Sequence, residues 1–105
     1  MTPSDDAEVE GMIQAKGLNG ARVTPAEIDA QIAGVAYYVF PGTTLTVCAI
    51  TLQNGFQVVG HSACADPSNF DEELGRHIAR RNAREQIWAL EGYLLKQQLS
   101  EARPT

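Results

Sequence analysis

Apolar residues fall in uneven stretches along this 105-residue chain, and their spacing predicts its elements. Residues 1–10 hold four acids and one proline with almost nothing apolar, and read as a flexible acidic tail. Met12, Ile13 and Leu18, interspersed with Gly11, Gly17 and Gly20, suit a short helix followed by a loop. Thr24-Pro25-Ala26-Glu27 then marks a helix start, with a capping hydroxyl, a proline at the first helical position and a capping-box glutamate. Ile28, Ile32 and Val35 supply the apolar stripe of that helix, and Gly34 lies near its end.

Tyr37-Tyr38-Val39-Phe40 is rich in strand formers and stops at Pro41-Gly42. Residues 44–52 and 56–64 flank Asn54-Gly55, a pair that favours a two-residue hairpin loop. That loop sets Gln53 opposite Phe56. One face then carries Leu45, Val47, Ala49 and Thr51 with Val58, Gly60, Ser62 and Cys64. The other carries Cys48, Ile50 and Leu52 with Gln57, Val59 and His61. Both faces are largely apolar, so a layer is expected on each side, supplied by helices or by another subunit. In this register Cys48 and Cys64 lie on opposite faces. A bridge needs Cβ atoms roughly 4 Å apart, so two free thiols are expected.

Asp66-Pro67-Ser68-Asn69 forms a turn, and Ser68 or Asn69 can cap the helix that follows. Asp71, Glu72 and Glu73 sit where the helix dipole favours acids. The helical pattern runs from there to about Gln98, with Gly92 a point of bending. The fold expected is α+β: short N-terminal helices, a small antiparallel sheet with an Asn-Gly hairpin, and a long C-terminal helix. Residues 11–98 form the single domain and residues 99–105 a flexible C-terminal tail.

Composition narrows the class. The net charge of −5 argues against DNA binding driven by counterion release. The apolar runs are too short to cross a bilayer, and the acidic start does not resemble a secretory signal. A cytosolic setting with reduced cysteines follows as the expectation.

Against this acidic background, Arg76, Arg80, Arg81 and Arg84 make up half of the eight Lys and Arg residues. Arg76, Arg80 and Arg84 recur every four positions along one helical stripe, with His77 among them. Beside them Gly75, Ala79 and Ala83 form a stripe of small residues, followed by Ile87. Two readings stand for the arginines. One is an anion site whose guanidinium groups fork onto phosphate oxygens. The other is a solvated face stitched by pairs such as Glu72–Arg76 and Arg81–Glu85. Asn69-Phe70-Asp71 likewise admits two: an anion, base and ribose contact at the helix entrance, or a cap with a hydrophobic staple. Trp88, Leu90, Tyr93, Leu94 and Leu95 read as core or subunit interface. Two cysteines and two histidines without a CxxC motif do not form a zinc pattern, and Cys48 lacks the partners of a catalytic nucleophile.

Lys16-Gly17-Leu18, Arg22-Val23-Thr24-Pro25, Thr46-Val47-Cys48, Thr51-Leu52-Gln53-Asn54-Gly55-Phe56, Ser62-Ala63-Cys64 and Asn69-Phe70-Asp71 follow one another in a distinctive order. Ile87-Trp88 and Leu90-Glu91-Gly92-Tyr93-Leu94-Leu95 complete it. Over residues 13–96 the chain resembles a small tailed-phage protein family that includes the first-described type of Thoeris anti-defence protein. The resemblance implies a sponge and not an enzyme. Such proteins sequester cyclic ADP-ribose isomers, glyco-cyclic ADP-ribose among them, made by bacterial TIR-domain proteins, and so block Thoeris immunity in the cytoplasm of the infected host. It also implies homo-oligomers, hexamers in some cases, with the nucleotide between protomers, and no metal or cofactor. By the same resemblance Asn69, Asp71, Arg80 and Arg84 are ligand-binding residues. Phe70 and Phe56 are both candidates for the base-stacking aromatic, Arg76 extends the arginine stripe, and Arg22 stands where a partner-subunit arginine is expected. The alternatives are an adaptor that docks its arginines on a host protein, and a sponge for cyclic oligonucleotides.

Overall fold

The computed structural model describes residues 3–102, with side chains from Asp6 onward. In chain order the elements are α1 (Pro3–Ala15), α2 (Pro25–Ala30), β1 (Ile32–Val39), β2 (Thr46–Leu52), β3 (Gln57–Ser62), a 3₁₀ turn (Pro67–Asn69) and α3 (Glu72–Ala102). The strands form one antiparallel sheet in the order β1-β2-β3, and α3 packs on one face of it. The fold is the α+β arrangement expected.

The boundaries depart from the sequence pattern in α1 and at the C-terminal end of α2. The acidic stretch read as a tail falls, from Pro3 on, within α1. Residues 1–2 and 103–105 lie outside the described residues, and residues 99–102 continue α3. At α2 the expected cap forms, with Thr24 Oγ1 accepting from the Glu27 amide at 3.2 Å and Pro25 in the first turn. The helix ends at Ala30, however, and Ile32 and Val35 belong to β1, opposite Leu52 and Ile50. Both are β-branched, and pairing with β2 outweighs one more helical turn. Phe40-Pro41-Gly42-Thr43 then turns the chain, with Gly42 at φ 74° and the Thr43 amide donating to the Phe40 carbonyl at 3.1 Å.

The β2–β3 register is one residue away from the expected one. Leu52, not Gln53, faces Phe56: the Leu52 amide donates to the Phe56 carbonyl at 2.8 Å. No non-glycine residue among those described has positive φ, so Asn54 does not enter the left-handed region that a two-residue Asn-Gly turn requires. Gly55 alone does, at φ 90°, and Asn54 Oδ1 instead accepts from the Phe56 amide at 2.9 Å. A one-residue slip exchanges the faces of β3. Cys48 therefore opposes Gly60 rather than His61, and the covered face holds Thr46, Cys48, Ile50, Leu52, Val58 and Gly60. Cys64 lies beyond the end of β3, with its carbonyl accepting from Thr44 Oγ1. Both thiols are free, but separation along the sheet keeps them apart, not placement on opposite faces.

α3 is capped by Asp71, whose Oδ1 accepts from the Leu74 amide at 2.8 Å, in place of the Ser68 or Asn69 expected. Its 31 residues span about 46 Å without a break at Gly92. Gly75, Ala79, Ala83 and Ile87 form its buried face. The small-residue stripe is therefore used within the chain. A Cβ at Gly60 would lie 2.1 Å from Ala83 N and 2.4 Å from Ala79 O, so helix and strand backbones touch there. Asn82 Nδ2 donates to the His61 carbonyl at 2.9 Å, and Gln86 Nε2 to that of Val59, fixing α3 along β3. Ile28, Cys48, Ile50, Leu52, Val58, Ala79, Ala83 and Ile87 make the core, with Val23, Ile32 and Trp88 at its edge.

The opposite face of the sheet has no layer within the described residues. It presents Tyr38 and Phe40 at the β1 edge, their rings edge to face at 4.8 Å, and the exposed Val59 on β3. Leu90, Tyr93 and Leu94 are likewise exposed on the outer half of α3.

Gly60→Ala should destabilise the protein by about 3 kcal/mol, since backbone on both sides blocks relief. Gly92→Ala meets nothing and should stabilise the helix by about 0.5–1 kcal/mol. Thermal unfolding of the two variants checks the opposite signs.

Burial raises the Cys48 thiol pKa, with the Arg80 charge opposing it. The unfolded chain thus ionises first, and stability from this group is lost as pH climbs above the ordinary thiol range. Native protein should alkylate at Cys64 and leave Cys48 unreacted until unfolded, as peptide mass mapping after iodoacetamide would show.

Candidate functional site

Arg80 and Arg84 each follow a buried alanine of α3, so one further residue of helical turn swings them from the sheet to the helix flank. There they meet α1 and α2. His77, Arg80, Arg81 and Arg84, at the i, i+3, i+4, i+7 spacing of one helical face, line a cavity of about 540 Å³. Asp6, Ala7 and Glu10 of α1 and Pro25 and Asp29 of α2 form its other wall.

The guanidinium of Arg84 is held from two sides. Its Nε donates to Asp29 Oδ1 at 2.9 Å, and its Nη1 to Asp6 Oδ2 at 2.7 Å. Burial works against its charge, but the hydrogen bonds and charges of Asp29 and Asp6 outweigh that and hold its pKa above the ordinary value. Arg80 and Arg81 make no ion pair among the described residues. Asp6 Oδ1 and Arg81 Nε are buried without hydrogen-bond partners among the described residues, two unsatisfied polar atoms on one cavity. What this wall offers is two uncommitted guanidinium groups beside a third fixed by carboxylates, a set suited to a dianion.

The other expected site residues lie elsewhere. Arg76 pairs with Glu72 at 3.0 Å on the exposed side of the first turns of α3. Arg22 lines a cleft of about 150 Å³ with Val9, Ile13 and Trp88, and its Nη1 donates to both oxygens of Glu10. Asn69, Phe70 and Asp71 line a third cleft of about 100 Å³ with Thr44, Ser62 and Cys64. Asp66 beside them accepts from the amide and hydroxyl of Ser68, which lowers its pKa. Along α3, Asp71 and Arg80 are about 13 Å apart, so the arginine cavity and the Asn69–Asp71 cleft of one chain are separate where the sequence suggested one site. Phe56 is exposed in the β2–β3 connection and lines neither of them.

Sequence reasoning missed Asp6 and Asp29. Neither has a local signal, since their partner Arg84 is 78 and 55 positions away. His77 and Arg81 were within reach, because the spacing 77, 80, 81, 84 describes a helix face better than the four-residue repeat from Arg76. Among the described residues no cluster of three or more His, Cys, Asp or Glu could hold a metal ion, and no helix is long and apolar enough to cross a membrane.

No curated protein and no solved structure matches this chain. One family model does, over residues 23–99, from just before α2 through most of α3. That stretch contains the whole sheet, the α3 arginines and Asp29, and leaves α1 outside it. The chain belongs to the phage protein (N4 Gp49/phage Sf6 gene 66) family.

Proposed function

We propose that this phage protein binds and sequesters a cyclic ADP-ribose isomer, glyco-cyclic ADP-ribose in the first place, in the cytoplasm of the infected host. It thereby silences Thoeris signalling without turning the ligand over. The likeness to the anti-Thoeris proteins supplies the ligand class. The observation that supports it is the cavity of about 540 Å³ on which Arg80, Arg81, Arg84 and His77 converge, in a chain of net charge −5. That volume is in the range of small-molecule sites. Arg80 and Arg81 take the pyrophosphate, and Asp29 keeps Arg84 aimed alongside them.

A sponge needs nanomolar affinity, about −12 kcal/mol. Exposed guanidinium groups in water do not reach this, because solvent screens them. Enclosure in a homo-oligomer, a hexamer on the family precedent, supplies the missing desolvation. The uncovered sheet face with Tyr38, Phe40 and Val59 is the surface such an assembly would bury. A ligand that also uses Asn69, Phe70 and Asp71 draws them from a second protomer.

Purified protein should melt several degrees higher with one cyclic ADP-ribose isomer, and the ligand should be recovered intact after denaturation. Arg80→Ala should weaken binding by calorimetry at least tenfold, about 1.4 kcal/mol, without lowering the melting temperature of the free protein. Hydrolysed ligand would make the protein an enzyme. The absence of a shift with every cyclic nucleotide would turn the reading toward an adaptor that docks its arginines on an acidic host protein.

A further inference from the structure

Among the described residues, α1 holds to the body of the protein by few ties. It lies outside the stretch shared with the family, and its apolar Val9 and Met12 are 49% and 53% exposed. Among the described residues its attachments include the Asp6–Arg84 pair at 2.7 Å, the Glu10–Arg22 pair, and the cleft where Val9 and Ile13 face Trp88. Asp6 is nonetheless buried, and it inserts a carboxylate into the arginine-lined cavity with Oδ1 left unsatisfied. A buried carboxylate with an orphan oxygen is costly, and it persists here because one arginine compensates it. Arg84 has a second carboxylate from Asp29 on α2, so its position does not depend on Asp6.

We infer that α1 is a strap whose Asp6 carboxylate stands in for the anionic ligand on Arg84, and that a pyrophosphate group displaces it. This rests on reading the cavity as an anion site and adds its regulation. Asp29 is then a positioning residue that keeps the guanidinium aimed when Asp6 leaves. The strap makes every anion compete with an internal carboxylate, so the apparent affinity is reduced by the fraction of molecules in which the site is closed. A single weak anion fails to open the site, and a dianion reaching Arg80, Arg81 and Arg84 together succeeds. The strap thereby favours a pyrophosphate ligand over solitary cellular anions.

Trp88 is the chain's one tryptophan and lines the cleft beside α1, so its fluorescence reports whether the strap is seated. The test is acrylamide quenching of Trp88 in the full chain, titrated with inorganic pyrophosphate, with calorimetry on the same samples. Pyrophosphate should raise quenching in the wild type. Asp6→Asn should show raised quenching before any ligand and bind pyrophosphate several-fold more tightly. Glu10→Gln, which loosens the same helix without touching Arg84, should raise quenching as well. Pyrophosphate binding without a change in quenching, or an Asp6→Asn variant as protected as the wild type, would overturn the strap and leave the anion site standing. No binding by either the wild type or Asp6→Asn would overturn the anion site, and the strap's competition with ligand along with it.

Discussion

The backbone contact between Gly60 and the Ala79–Ala83 turn of α3 fixes how the helix sits on the sheet. A Cβ on this strand residue would come within 2.1 Å of helix backbone, so no other side chain fits without moving the helix. Once that contact sets the height and rotation of α3, its flank is set too. Arg80 and Arg84 must then face α1 and α2, and Asp29 is close enough to fix one of them. The candidate site is in this sense a consequence of how the core packs.

The same contact explains which parts of the fold were legible. The Thr24-Pro25 helix start, the strand-forming residues and the long C-terminal helix carry local signals, and all of them are in the structure. The hairpin register carries a misleading one. Asn54-Gly55 favours a two-residue loop, yet only Gly60 admits the helix, and the longer connection aligns it with Cys48 under α3. Local turn preference, worth little on its own, yields to the tertiary contact. The end of α2 was obscured for a related reason: Ile32 and Val35 match a helical spacing from Ile28, and their alternative as strand residues becomes decisive only with β2 alongside.

The site was half legible. A cluster of arginines in an acidic chain is visible in composition, and its helical face can be read from spacing. Which arginines remain uncommitted is not, because that depends on Asp6 and Asp29, brought in from distant elements. Arg84 appeared the equal of Arg80 in the sequence. In the structure Arg84 is an organised, doubly paired cation and Arg80 and Arg81 the ones with capacity to spare. Membership of a phage protein family gives this arrangement a setting. The exposed aromatic face of the sheet remains the part of the molecule that one chain does not account for.

In the proposed site Arg80 and Arg81 meet the pyrophosphate of the ligand. The most direct measurement is side-chain NMR of the arginine Nε–H groups during titration with glyco-cyclic ADP-ribose. The Arg80 and Arg81 resonances should shift together, while Arg76, paired with Glu72 on the outer face, stays in place. Arg80 and Arg81 resonances that stay in place at saturating ligand, or an Arg76 response equal to that of Arg80, would contradict that contact.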